Sequence, residues 1–425
     1  MGDDCDVRTT IIDVVYPPHR GKIGLRGNRA PLSWEHTTEP TRQEDDRHIF
    51  ELSVPEGELC ELKVVRNDEQ FAGGRNYTVH AGDRIHIEPY FDHEGSTLLE
   101  PEEMMIGEEK LSFQVLLPPS YDEQENKRYP VLYMQDGQAL WSTSQDPYGV
   151  WNLEKTLDQL FELNAIEEII VVGIDTANRR MERLSHTADP EHGGGEAPAH
   201  LSAIVDHLIP AINGCFRTKP ERESTAVMGS SMGGLFSFYA AWTRPDVFGK
   251  AACLSSSFWW ANRNLIRAVQ TGDVVASRPV LYIDSGAAVS AFEKDPSARD
   301  GFHHTRSMVR ALLRHGYTAG TDLHRLTFTG QTHDANAWAA RVAIPLQILF
   351  PPPVSTQLPR EVVKAIEAIE EAAQKAEQVI EEVAQKAEEA IIAKATGGEA
   401  SGGEAQVGPV PGEDPGPGKA AEQAA

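Results

Sequence analysis

Ser231 is the residue with the clearest chemical prospects. It is the centre of Gly229-Ser230-Ser231-Met232-Gly233, between the apolar run Ala226-Val227-Met228 and a helix-length apolar pattern from Leu235 to Trp242. A Gly-x-Ser-x-Gly turn from strand to helix is a nucleophile elbow, with the serine exposed at its tip. So sharp a turn strains the serine backbone, and the two glycines must lack side chains where strand and helix crowd it. The helix beginning beneath the serine aims backbone N–H groups and partial positive charge at an oxyanion formed there.

A serine hydroxyl is a weak nucleophile until a base takes its proton, and the base needs a partner that fixes its tautomer. Of fifteen histidines, His333 is placed to be that base: it follows the last strand, in a glycine-led loop, after Ser231 in the chain. An acid is expected in the turn after the strand RPVLYIDSG. Asp284 at the strand end, Glu293 and Asp295 in the following loop, and the more distant Asp300 are the candidates, with an acid-free Ser-His dyad as the alternative. Asp284 is taken for its rigid location. The oxyanion donors are expected to be the amides of Met232 and of Gln138, in the Asp136-Gly137-Gln138 turn after the strand VLYMQ. Arg179, Arg180 and Arg183 follow the strand IIVVGID, and Trp259 and Trp260 follow AACLS. Arg180, Arg183, Trp259 and Trp260 are therefore substrate-binding candidates for an anionic or aromatic acyl group. The plainer alternative is that the arginines pair with neighbouring acids and the tryptophans pack the rim.

The elements that must position these groups are legible as an alternation of buried strands and amphipathic helices from about Glu108, which predicts an α/β fold with a doubly wound, mostly parallel sheet. Before it, RTTIIDVVY, HIFELSVP, LCELKVVRN and DRIHIEPYF are short β-branched or alternating runs separated by PPHRG, PEGE and HAGD. They predict a small antiparallel β-sandwich.

Residues 108 to 350 resemble the "Putative esterase" branch of the α/β-hydrolases, which includes enterochelin (siderophore) esterases, esterase D and feruloyl esterases. The resemblance is carried by YPVLYMQDGQALW, VVGIDTANRRMER, RESTAVMGSSMGGLFSFYAA, LSSSFWW and GQTHDANAW. It implies an α/β-hydrolase fold, a serine nucleophile at Ser231 and a catalytic base at His333. The chain departs from the family at Val289, where the acid is usual, at Ala335, where a glutamate is common, and at Leu184, where a tyrosine is common. The stretch IGLRGNRAPLSW with HIFELSVPEGELCELKVVRNDEQFAGGRNYTV resembles a starch-binding module. On that resemblance Trp34 and Phe71 would form the sugar platform and Asn76 a polar partner, with Phe71 where a tryptophan is usual and Pro31 in place of the leucine of the turn.

The chain has 425 residues, a formal net charge of -25 and no apolar run of membrane-spanning length. Such acidity argues against nucleic acid and anionic membrane surfaces as partners. Scattered cysteines and the absence of a leader-like start predict a cytoplasmic protein without a metal site or disulfide framework. After Pro353 the composition changes: EEAAQKAEQVI at 370 to 380 recurs as EEVAQKAEEAI at 381 to 391. An eleven-residue period gives a nearly straight, alanine-rich apolar stripe, which predicts a helix suited to self-association, with a freely solvated helix as the alternative. The expected organisation is a sandwich over 1–101, a catalytic domain over 102–354, an amphipathic helix over 355–395 and a low-complexity acidic tail over 396–425. The expected activity is hydrolysis of a carboxylic ester, siderophore-like, aromatic or carbohydrate-linked, through an acyl-enzyme and without a cofactor. The alternatives are acyl transfer, or an inactive domain on a glucan-binding scaffold.

Overall fold

The computed structural model describes residues 7–176, 179–272, 277–288 and 300–352. The expected helix over 355–395 and the tail beyond it lie outside the described residues.

The N-terminal region is built from two sheets. One has the order β3-β4-β1-β8, with β1 Val7–Val15, β3 Arg42–Glu44, β4 Arg47–Pro55 and β8 Arg84–Ile87. The other joins β2 Ile23–Gly27, β5 Leu59–Arg66, β6 Gln70–Phe71 and β7 Tyr77–His80. Alternate residues point inward, so Ile12, Val14, Phe50, Leu52, Leu62, Val64 and Ile85 meet in one core. The expected all-antiparallel pairing needs one correction: β1 and β8 run parallel. Residues 88–91, read as the end of the last strand, lie beyond it, since Pro89 cannot donate to a ladder.

A seam of buried polar contacts joins these sheets to the turn that follows the first long strand of the larger sheet. The Glu123 carboxylate, 1% exposed, accepts from the Tyr16 hydroxyl at 3.0 Å and from the amides of Phe91 and Asp92. The Gln124 amide donates to the carbonyls of Val15 and Pro89, and Arg66 donates to Tyr16 at 2.7 Å. Burial and the Glu123 charge push the Tyr16 hydroxyl up to about 12, which keeps it a neutral donor at physiological pH.

The larger sheet contains β9 Thr97–Leu98, β10 Glu102–Ile106, β11 Glu109–Leu117, β12 Val131–Gln135, β13 Ile170–Ile174, β14 Thr225–Ser230, β15 Lys250–Leu254, β16 Val280–Ala287 and β17 Leu323–Thr329. Its order is β10-β11-β13-β12-β14-β15-β16-β17, with β9 on β11. From β13 to β17 all pairs are parallel, and β10 and β11 are antiparallel additions at one edge. Every residue of β12, β13 and β14 is buried, as expected of parallel strands covered on both faces. The helices supply that cover. In α1, Leu153–Glu162, the inward residues Leu153, Leu157, Leu160 and Phe161 follow the helical period. After α2, Arg180–Leu184, the helical segment 197–215 is divided into α3 Ala197–Ser202, a π-helical stretch Ala203–Leu208 and α4 Ile209–Cys215. Central to the layer is α5, Met232–Thr243, apolar almost all round because sheet and neighbouring helices enclose it. It is followed by α6 Trp260–Thr271 and α7 Phe302–Arg314. The stretch AWAARVAIPLQILF, helical in pattern throughout, forms parts of two helices, α8 Ala335–Ala339 and α9 Ala343–Leu349. Pro345 explains the break, because it has no N–H with which to continue the ladder to Arg341.

His200 in α3 is the most perturbed histidine of this core. It is 5% exposed, its Nε2 lies 3.1 Å from Gln135 Oε1, and its ring centroid is 5.0 Å from that of Phe236. Burial, then the Arg183 charge, push its imidazole from 6.5 down to about 3. Below pH 6.5 the unfolded chain therefore binds a proton that the folded chain refuses until about pH 3, so stability falls as pH drops through that window. Between pH 6.5 and 5 this residue should cost about 2 kcal/mol. Urea titrations at both pH values should show that loss in the wild type and much less of it in His200→Asn.

Candidate active site

Strand β14 ends at Ser230, and Ser231 turns the chain into α5 with φ 55 and ψ -117. This is a strained region for a non-glycine residue, costing on the order of 1–3 kcal/mol, and it is held by the surrounding packing. The Ser231 amide donates to the Leu254 carbonyl at 2.9 Å, and its carbonyl accepts from Ser257 at 3.0 Å. A Cβ at Gly229 would lie 2.5 Å from the Gly233 backbone, so the elbow closes only with glycine there.

The loop after β17 brings His333 to the serine. Its Nε2 is 2.9 Å from Ser231 Oγ, and its Nδ1 is hydrogen-bonded to Asp300 Oδ1. Its ring makes a T-shaped contact with Trp338, with centroids 5.0 Å apart at 89°. Asp300 is 2% exposed, and its other oxygen accepts from the Gly286 amide and from Ser255 Oγ. Ser257 Oγ lies 3.3 Å from the Ser231 hydroxyl.

The choice of Asp284 requires correction. It is fully buried on β16, but both its oxygens are 3.0 Å from the Arg341 guanidinium, and Tyr282 and the Ser255 amide also donate to it. Burial pushes its carboxyl up, against the pull of Arg341. Its hydrogen-bonding capacity is taken up, and the carboxylate against His333 is Asp300. Glu293 and Asp295 lie outside the described residues. Asp300 immediately precedes the glycine that opens α7, and in the structure Gly286 has no side chain where Asp300 packs, a Cβ there lying 3.1 Å from the Asp300 side chain.

Met232 begins α5, where first-turn amides have no acceptor within the helix. Gln138 lies in a single 3-10 turn, Gly137–Ala139, entered through Asp136 in the left-handed region at φ 61. A Cβ on Gly233 would lie 3.1 Å from Asp136 Oδ2, so this turn packs directly on the first turn of α5. Gly137 faces the backbone of Gly173 at 2.7 Å from where a Cβ would stand, which restricts the position to glycine. The Gln138 side chain accepts from the Thr176 amide at 3.3 Å.

The expected substrate-binding residues divide. Arg180 makes a two-pronged contact with Asp136 at 2.9 and 3.0 Å, and Arg183 bonds Glu109 and the Lys110 carbonyl. Arg179 bridges Glu109 and Glu196. Trp260 is 1% exposed and donates to the Thr187 carbonyl at 2.8 Å. Arg180, Arg183 and Trp260 are thus engaged with protein groups, as in the plainer alternative, which corrects the expectation that they face a ligand. Trp259 is 38% exposed, with His192 5.8 Å away at 71° and Ser257 two positions before it. In the N-terminal sheets Trp34 and Phe71 are exposed, with Arg26 over Phe71, whereas Asn76 donates to Glu61 at 2.8 Å.

Among the described residues no group of three or more histidines, cysteines, aspartates or glutamates is placed to hold a metal ion. The described cysteines Cys60, Cys215 and Cys253 are unpaired thiols. No helix among the described residues is long and apolar enough to cross a membrane.

The family model described as "Putative esterase" matches residues 105–341, more than half of the chain. The chain belongs to the "Putative esterase" family. Among curated members of similar sequence, the uncharacterized protein YbbA of Bacillus subtilis is 27% identical over 214 residues, covering 48% of this chain and 79% of its own. The iron(III) enterobactin esterase of Escherichia coli K12 is 25% identical over 269 residues, covering 58% of this chain and 62% of its own length, so less than two thirds of that esterase is spanned. A crystal structure of the enterobactin esterase FES from Shigella flexneri, in the presence of 2,3-dihydroxy-N-benzoyl-glycine, aligns with a TM-score of 0.47 and 14% identity, over 78% of this chain and 89% of its own. The family match ends at Arg341 and so includes Ser231, Asp300 and His333.

Proposed function

We propose that the protein is a serine carboxylic-ester hydrolase acting through an acyl-enzyme. The observation that carries this reading is the continuous contact from Asp300 through His333 to Ser231, with His333 Nε2 2.9 Å from the hydroxyl at a strained strand-to-helix turn. His333 Nε2 accepts the Ser231 proton as Oγ adds to the ester carbonyl carbon, and Asp300 stabilises the imidazolium through Nδ1. The carbonyl oxygen takes up the negative charge, and the amides of Met232 and Gln138 are its donors. Collapse of the tetrahedral adduct breaks the bond to the alcohol, which leaves with the proton from His333. Water then repeats the cycle on the acyl-enzyme, giving up a proton to His333 and releasing the free acid and the Ser231 hydroxyl.

The substrate class we assign is a small ester with a siderophore-like or aromatic acyl group, or such an acyl group linked to a carbohydrate. Trp259 supports it, an exposed ring two residues from Ser257 and beside His192, as does the kinship with enterobactin esterases. A labelled fluorophosphonate followed by peptide mapping tests the mechanism: label on the peptide containing Ser231 is expected, and folded protein without label would end the esterase reading.

Exposed Trp34 and Phe71 support a second, separate proposal, contact with an α-glucan by the N-terminal sheets. In native gels containing amylose, the wild type should be retarded and Trp34→Ala should run freely. Equal mobility of the two proteins would leave these sheets with a purely structural duty.

A further inference from the structure

We propose that Arg341 is a positioning residue for the Asp300–His333 pair, acting through the Ser255 hydroxyl, with Asp284 as its buried counterion. The inference rests on the esterase reading above.

Arg341 is 2% exposed and lies in the turn between α8 and α9, on the segment that follows His333. Its guanidinium spans the back of the site. Nε and Nη2 hold the two oxygens of Asp284 at 3.0 Å each, and Nη1 donates to Gln331 Oε1 at 2.7 Å, within the loop that carries His333. Nη2 also donates to Ser255 Oγ at 2.6 Å and lies 3.8 Å from Asp300 Oδ2. Ser255 Oγ in turn donates to Asp300 Oδ2, as does the Gly286 amide. One oxygen of Asp300 is thereby fixed from behind, and the other is left to face His333 Nδ1. A planar fork with five N–H donors can hold both oxygens of a carboxylate, a hydroxyl and an amide oxygen at once, more acceptors than the three donors of a lysine could serve.

Ser255 has the backbone expected of a residue held for its side chain. Its φ is 44, in the left-handed region, and its amide is bound to Asp284, to the backbone carbonyl at 3.1 Å and the carboxylate at 3.0 Å. A strained serine between two carboxylates, with its hydroxyl passing from a guanidinium to the one that meets the histidine, points to function. A buried ion pair adds little net stability compared with apolar packing of the same volume, so stability alone is a weak reason for this arrangement. The charged groups facing the cluster are Asp284 from β16, Asp300 at the start of α7 and Arg341. Beside His333 in the loop, Asp334 is engaged with Thr332 and the Ala337 amide.

The test compares Arg341→Met/Asp284→Leu, which removes both charges of the ion pair, with Ser255→Ala and the wild type, using p-nitrophenyl butyrate and thermal unfolding. Arg341→Met alone would strand Asp284 as a buried charge and is not used. The double variant is expected to unfold within a few degrees of the wild type, while its kcat falls about 10- to 100-fold and KM changes less than about twofold. Ser255→Ala should lose about 10-fold in kcat with KM unchanged. A folded double variant with wild-type kcat would make the pair structural and overturn the proposal. If the double variant does not fold, Ser255→Ala decides, and an unchanged kcat overturns it equally. A wild-type protein inert toward the ester would instead overturn the esterase reading on which the proposal stands.

Discussion

Ser231→Ala is expected to lower kcat for p-nitrophenyl butyrate by about 10⁴- to 10⁶-fold while KM stays close to the wild-type value. The reason is that no other hydroxyl can take over the covalent step. Ser257 Oγ is 3.3 Å from Ser231 Oγ, but the hydroxyl that His333 Nε2 meets, at 2.9 Å, is that of Ser231 at the tip of the strained turn. Alanine inherits the same backbone conformation at φ 55, so the variant should fold as the wild type does, with neither the strain relieved nor the core disturbed. Circular dichroism and thermal unfolding check the fold, and initial rates at saturating ester check the chemistry. A variant retaining a tenth of the wild-type kcat would mean that the ester is cleaved elsewhere.

The second large effect separates two buried aspartates. Asp300→Asn should lower kcat by about 10³- to 10⁴-fold, because an asparagine amide facing Nδ1 can hold the imidazole in the tautomer that cannot accept the Ser231 proton. Asp284→Asn should behave in the opposite way. It leaves Arg341 buried without its carboxylate, so it should cost about 3–5 kcal/mol of folding stability. In the fraction that folds, kcat should fall by no more than about 10-fold, through the slackened contact to Ser255. Urea titration and kcat measured on both variants give the comparison. If Asp284→Asn loses more kcat than Asp300→Asn, the assignment of Asp300 as the acid is wrong.

Why the sequence led to Asp284 is a physical question. The order of strands and helices was readable because parallel strands buried on both faces are continuous apolar runs, as in Val131–Gln135 and Thr225–Ser230. Ser231 was readable because a strained turn forces glycines at fixed offsets, and His333 because it must follow the last strand. The acid obeys no such local constraint. It needs only to reach Nδ1, and here Asp300 does so from just before α7, where Gly286 makes room for it. What occupies Asp284 is Arg341, 57 positions later in the chain, and a pairing at that separation leaves no mark in the residues around either partner. The same blindness applied to Arg180 and Arg183. A cluster of arginines at strand ends looks alike whether it awaits an anion or already has one, and Asp136 and Glu109 are the answer that only three dimensions supply.

The contacts of Tyr16, Phe91 and Asp92 with Glu123 have a consequence for how this chain can be cut and rebuilt. A catalytic fragment beginning near residue 102 would carry Glu123 uncovered, its three donors gone and its shape made for a neighbour no longer present. Shuffling the hydrolase onto another front piece would therefore need a replacement that offers a hydroxyl and two free amides at the same places. The front sheets are a fitted component rather than a detachable cassette, and any polymer they grip would be gripped at a constant distance from the serine.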